Sequence, residues 1–144
     1  SNRLYPNPPA RELLVEIWKQ KQAELEQLRD IEAAEEKKHW AAMVDGFRRF
    51  MEVGDLLGAK RIAAEMKKVD PEKTANYVEQ LDKRIKSEVE AQLSHGQLLY
   101  AQGHLQEAIN VWQEALELKP DNEELKQNIS RARTFLENMN KWGK

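Results

Sequence analysis

Between Ala91 and Pro120 small and large residues are placed as two closely packed helices require. Gly96, Ala108 and Ala115 sit where backbones have to approach, and Trp112, Leu105 and Leu116 supply bulk around them. Gly103 interrupts the first helical pattern and Pro120 closes the second. A glycine just past a helix end accepts the left-handed backbone that a tight reversal needs. The stretch therefore predicts an antiparallel helix pair, and the neighbouring chain has to fold around it.

The whole chain, at 144 residues, is long enough for one domain with a real core. Apolar residues make up 40% and charged residues 33%, a balance that reads as helix-rich and soluble. A formal net charge of −2 provides no overall field toward nucleic acid or an anionic membrane. The absence of cysteine removes disulfides, thiolate nucleophiles and cysteine metal sites together. No apolar run approaches the ~20 residues of a membrane span, so direct membrane insertion by this segment is not expected. No signal peptide is visible. The Ser1-Asn2 start reads as the remnant of a trimmed expression tag, which leaves any upstream address open.

Residues 1–9, with three prolines, predict an irregular lead-in, with Asn7 or Pro8 capping and Pro9 in the first helical turn. From Ala10 to about Val53 no proline occurs and Gly46 is the sole glycine, which predicts one very long helix. Its first part carries a broken apolar seam, Leu13, Leu14, Ile17, Trp18, Leu25, Leu28 and Ile31, with Lys21 inside it. Three to four clean heptads would be needed for a coiled coil, and the seam falls short. It reads either as a helix that folds back or packs on a partner, or as a projecting arm. Glu32 to Lys38 reads as a solvated face. Gly54 to Gly58 predicts a turn and Ala59 to about Lys68 a second helix. Asp70 and Pro71 stop that helix and cap the next. Tyr77, Leu81, Ile85, Val89 and Leu93 then recur every four residues, and the helix runs to Ala101, roughly 45 Å in all. Leu105–Leu118 and Glu123 to about Asn140 complete the count, the last with Leu125, Ile129, Ala132, Leu136 and Met139 on one face.

With Gly96, Gly103, Leu105, Ala108, Trp112, Ala115 and Pro120 at these intervals, the stretch resembles a tetratricopeptide repeat, a helix–turn–helix unit of about 34 residues. Gln92 stands where tryptophan is usual and Leu99 where tyrosine is. Trp40 to Lys73 resembles a degenerate sister. Phe50, Gly54, Leu56, Ala59 and Pro71 match, but bulky Phe47 takes the usual glycine place one residue after Gly46. Ala63 and Met66 also exchange the expected sizes. The closing prolines, Pro71 and Pro120, are 49 positions apart, which places about four extra helical turns between the units. The resemblance implies an all-α fold of helix–turn–helix repeats with elongated helices and a C-terminal capping helix. Its divisions are 1–9 lead-in, 10–39 long helix, 40–73 degenerate repeat, 74–88 helical extension, 89–122 repeat, and 123–144 capping helix and tail. Lys126, Arg131 and Arg133 would keep the cap's outer face wet.

Enzymatic chemistry finds little support. His39, His95 and His104 are far apart and lack ligand spacing, so no metal or cofactor is expected. No Gly-rich phosphate loop is present. Carboxylates alternate with Lys and Arg at helical spacing, and pairs such as Glu12 with Glu16 or Glu123 with Glu124 read as solvated. The most basic stretch, Arg48, Arg49, Lys60, Arg61, Lys67 and Lys68, is interrupted by Asp45, Glu52, Asp55 and Glu65, and no nucleic-acid partner is expected.

The resemblance implies a non-enzymatic adaptor or scaffold that binds another protein or peptide on the inner face of its first helices. That face comprises Val44, Arg48 and Met51 in the first repeat, Leu93, Gln97 and Tyr100 in the second, and Gln127 and Arg131 in the last helix. Family members that clamp a C-terminal carboxylate use Lys and Asn where Leu93 and Gln97 stand, so that clamp is not expected. Trp18 and Trp40 are either packing residues or partner anchors. The alternative function is structural: a self-associating helical protein, possible as a homodimer, through Leu14, Trp18, Leu25 and Leu28. The phrase Leu99 to Ile109 is similar to repeats common in bacterial proteins, including envelope lipoproteins. That leans the compartment toward the bacterial envelope, with the cytoplasm as alternative.

Overall fold

A computed structural model of the chain describes residues 8–142, in which five helices follow one another. These are α1 (Pro8–Val53), α2 (Leu56–Val69), α3 (Pro71–Ala101), α4 (Leu105–Leu118) and α5 (Glu123–Trp142). No strand occurs among the described residues. The fold is all-α, as the breaker-free runs imply. The helix begins at Pro8, so Pro8 and Pro9 are helical and not part of an irregular lead-in; residues 1–7, Asn7 included, lie outside the described residues.

The chain divides into two compact units at the Ala42–Met43 bond. The first is the α1 stretch up to Ala42. From residue 9 to residue 39 every side chain in it is exposed except Gln22, which is half-buried. The apolar seam is part of that surface, with Trp18 63% exposed. Glu32 to Lys38 is exposed throughout.

The second unit starts at Met43 and holds the core. Its two reversals that carry a positive-φ glycine are built alike. Gly54 and Gly103 have φ of +77° and +84°. In each case the next residue's N–H reaches back five positions, Asp55 to the Phe50 carbonyl at 2.9 Å and His104 to the Leu99 carbonyl at 2.9 Å. The glycine N–H groups bond three positions back, to the Met51 and Tyr100 carbonyls at 3.2 and 3.0 Å. This pairing satisfies the orphaned carbonyls of the preceding helix and needs a residue free of Cβ strain at the reversal.

α2 starts earlier than the sequence predicts. Asp55 is its N-cap, its Oδ1 accepting the Gly58 N–H at 2.9 Å, so Leu56, Leu57 and Gly58 are helical and not part of the turn. Gly58 serves packing instead: a Cβ there would come within 2.5 Å of the Phe50 ring. Gly46 has the same role, since its Cβ would meet Ile62 Cδ1 at 2.7 Å. Thus two glycines, Gly46 and Gly58, bring the end of α1 and α2 together. Phe47, Ala59, Ala63 and Met66 are buried there, so the exchanged sizes at 63 and 66 share one core.

Asp70 alone joins α2 to α3. Its backbone N–H donates to the Met66 carbonyl at 2.9 Å, while its side chain accepts the Lys73 N–H at 3.0 Å. Pro71 takes the first position of α3, where a missing N–H is harmless. The extra turns of α3 are core-forming, not a spacer. Thr74, Leu81, Ile85 and Val89 are buried, and α3 packs on α2 as well as on α4. A further tie runs from Lys60 Nζ to the Leu118 carbonyl, 3.0 Å. α5 packs on α4 through Leu125, Ile129 and Ala132, with Asn122 capping its start by accepting the Leu125 N–H at 2.9 Å.

Candidate protein-binding surface

The surface is built outward from Gly96. Any side chain at that position would overlap the indole of Trp112, whose Nε1 edge lies against the α3 backbone and which is 2% exposed. Its Nε1 donates to the Leu93 carbonyl at 3.3 Å. Tyr100, one turn beyond Gly96, stacks at a tilt on Trp112 with ring centroids 6.2 Å apart. On its other side Tyr100 meets Phe135 of α5 at 6.3 Å. Such separations lie in the range where aromatic pairs attract beyond the area they bury. A run of three rings therefore leads from the core to solvent, and Phe135 ends it 50% exposed. Gln97 on α3 and Arg131 on α5 are exposed one helical turn before these two rings.

The other inner-face residues fall in different places. Leu93 is half-buried and lines a cavity of about 590 Å³ between α3 and the α4–α5 turn, with Val89, Lys60, Pro120 and Asn122. Lys86 and Lys119 line it together with Asp82, Glu90, Asp121 and Glu124, so its charge is mixed. Arg48 and Met51 line a shallower depression with Tyr77 and Gln80. Phe47 supports its floor, edge-on to Tyr77 at 5.4 Å. Arg84 Nη1 approaches the Met51 carbonyl at 3.5 Å. Gln127 is exposed on α5. Val44 differs from its expected role: it is buried in the core, supporting the face without presenting to it.

Phe135 was not among the residues expected on this face. Its signal is the spacing Ala132, Phe135, Met139, Trp142, an apolar stripe that outlasts the packed part of α5. Met139, expected on the buried side with Leu136, is exposed, as are Phe135 and Trp142. α4 has 14 residues and α5 has 20, so the last turns of α5 have no equivalent length of α4 to pack on.

The basic stretch is dispersed. Arg49 pairs with Asp45 at 3.0 Å, Lys68 with Glu65 at 3.1 Å, and Lys60 is committed to Leu118. Exposed pairs of this kind contribute at most ~1 kcal/mol. Among the described residues no group of three or more His, Asp or Glu side chains is placed to hold a metal. No described helix is long and apolar enough to cross a membrane.

Helix pairs joined by a left-handed glycine, with a small residue under a buried aromatic and a proline at the close, define a class: the all-α proteins built from repeated helical hairpins. Residues 96–126 match the family model described as a TPR repeat. That segment of the chain is similar to a tetratricopeptide repeat, and it is where Gly96, Gly103 and Trp112 lie. No curated protein and no solved structure matches the chain.

Proposed function

We propose that the chain is a non-enzymatic adaptor or scaffold that holds a segment of another protein against the face formed by α3 and α5. The observation that carries this reading is the aromatic run Trp112–Tyr100–Phe135, which brings a half-exposed ring to the surface of a repeat whose family mediates protein contacts. Aromatic rings on a rigid support are favoured anchors at interfaces, because little side-chain freedom is lost when they are covered. Gln97 and Arg131 would supply hydrogen bonds at the rim, as befits a helical or extended segment of mixed character. The pair formed by residues 43–53 and α2 is read as a divergent repeat of the same kind, and α5 as the cap. Replacing Gln97 with Ala and Tyr100 with Asp together should reduce partner capture at least tenfold while the helical content stays that of the native chain. Undiminished capture by a folded double variant would remove this face from the proposal.

A second reading is favoured by a separate observation, the exposure of Leu14, Trp18, Leu25 and Leu28 along one helix. Apolar stripes of that length on a soluble protein mark interaction sites. In this reading the chain self-associates through α1. Sedimentation of the intact chain should then give a dimer and that of a chain starting at Glu36 a monomer. Two monomers would exclude it.

A further inference from the structure

The stripe on α1 has an internal order that specifies how two copies would meet. Leu14, Ile17, Trp18, Leu25, Leu28 and Ile31 are all more than two-fifths exposed. At roughly 100° per residue they fall on one side of the helix. Their positions nearly mirror about the Gln22–Ala23 bond. Reversing the stripe lays Leu14 on Ile31 and Ile17 on Leu28, and brings Trp18 within one position of Leu28. Leu25 falls against Gln20, next to Lys21, whose aliphatic stem can cover an apolar neighbour.

Charge is ordered in the same sense. Within the stripe the cation Lys21 lies in the N-terminal half and Glu24, Glu32 and Glu35 in the C-terminal half, while Arg11 and Arg29 lie along one edge, one in each half. Parallel, in-register pairing would set Lys21 against Lys21 and Glu24 against Glu24, and like charges across a helical interface are unfavourable. Reversed pairing sets Lys21 beside Glu24 and Arg11 beside Glu35. The edge residue Arg29 then falls opposite Ile17 and Glu16. Taking on the order of 100 Å² for each large apolar side chain, two stripes remove roughly 1,200 Å² from water. That reaches the lower end of specific interfaces, about 1,200–2,000 Å².

We infer that the occupant of this face is a second copy of the same chain, running antiparallel, with the two-fold axis beside Gln22 and Ala23. The inference rests on the self-association reading above and adds the pairing. Its test uses the absence of native cysteine. Full-length Ile17→Cys and Leu28→Cys chains are oxidised separately and as a mixture. A disulfide needs Cα atoms within about 7 Å. In the antiparallel pair each introduced cysteine is about 16 Å from its own counterpart along the helix. Ile17→Cys therefore lies over Leu28→Cys and not over itself. The expected result is a covalent dimer in the mixture and none in either chain alone. Covalent dimers from each single chain would establish parallel pairing and overturn the inference, leaving self-association intact. No cross-link in any sample, with the native chain sedimenting as a dimer, would overturn this pairing and move the contact elsewhere on the chain. No cross-link with a native monomer would overturn both, as would a stripe that protects only in complex with a different protein.

Discussion

Trp112→Ala is expected to destabilise the second unit by about 3–5 kcal/mol, the range for truncating a large buried aromatic. Three losses coincide. The indole is 2% exposed, it fills the space that Gly96 leaves open, and its Nε1 bond to the Leu93 carbonyl disappears. The surrounding helices cannot close the gap cheaply, because Ala108 and Ala115 are already in close contact and have no length to extend. Tyr100 would also lose the ring that supports it. Urea denaturation checks the magnitude, and hydrogen exchange its location: protection should fall first in α4 and in α3 near Gly96. A loss under about 1 kcal/mol would mean that Trp112 is not the element joining these helices.

Phe47→Ala should have an effect of similar size, about 3–5 kcal/mol, at the other end of the same unit. Phe47 is 2% exposed and edge-on to Tyr77, so its ring joins the end of α1 to the extended part of α3. Its place is the one for which the resemblance of residues 40–73 to a tetratricopeptide repeat leads one to expect glycine. A side chain tolerated only as surface filler would be removed with little consequence. One that has taken over packing would not. Because helices stacked in series couple mainly to their neighbours, exchange should accelerate in residues 43–53 and α2 while α5 keeps its protection. Equal loss across all helices would show instead that the two pairs melt as one.

Much of this architecture can be read from residue types because the physics is local. A left-handed glycine, a proline in the first turn and an aspartate that caps are each read one at a time, so α3 and α4 have their expected limits. Gly58 shows where such reading fails. As a turn residue it is plausible from sequence; only the Phe50 ring lying over it explains why glycine is needed inside a helix. Val44 and Met139 fail for a related reason. Four-residue periodicity identifies a face, but the length of the neighbouring helix decides whether the face is covered. Residues 43–53 have α2 and α3 beside them, so Val44 is buried; the end of α5 outruns α4, so Met139 is not. The contact of Tyr100 with Phe135 links residues 35 positions apart and is invisible to any pattern confined to one helix.

The central claim is that the α3–α5 face holds a protein segment. It is tested most directly by comparing capture by the native chain, by the Gln97→Ala, Tyr100→Asp chain, and by a Glu114→Lys chain altered at an exposed position of α4 away from that face. All three should keep the same helical content and unfolding midpoint within a few degrees. The predicted result is capture by the native and Glu114→Lys chains and loss of it in the double variant. Equal capture by all three, or loss with Glu114→Lys alone, would contradict the account.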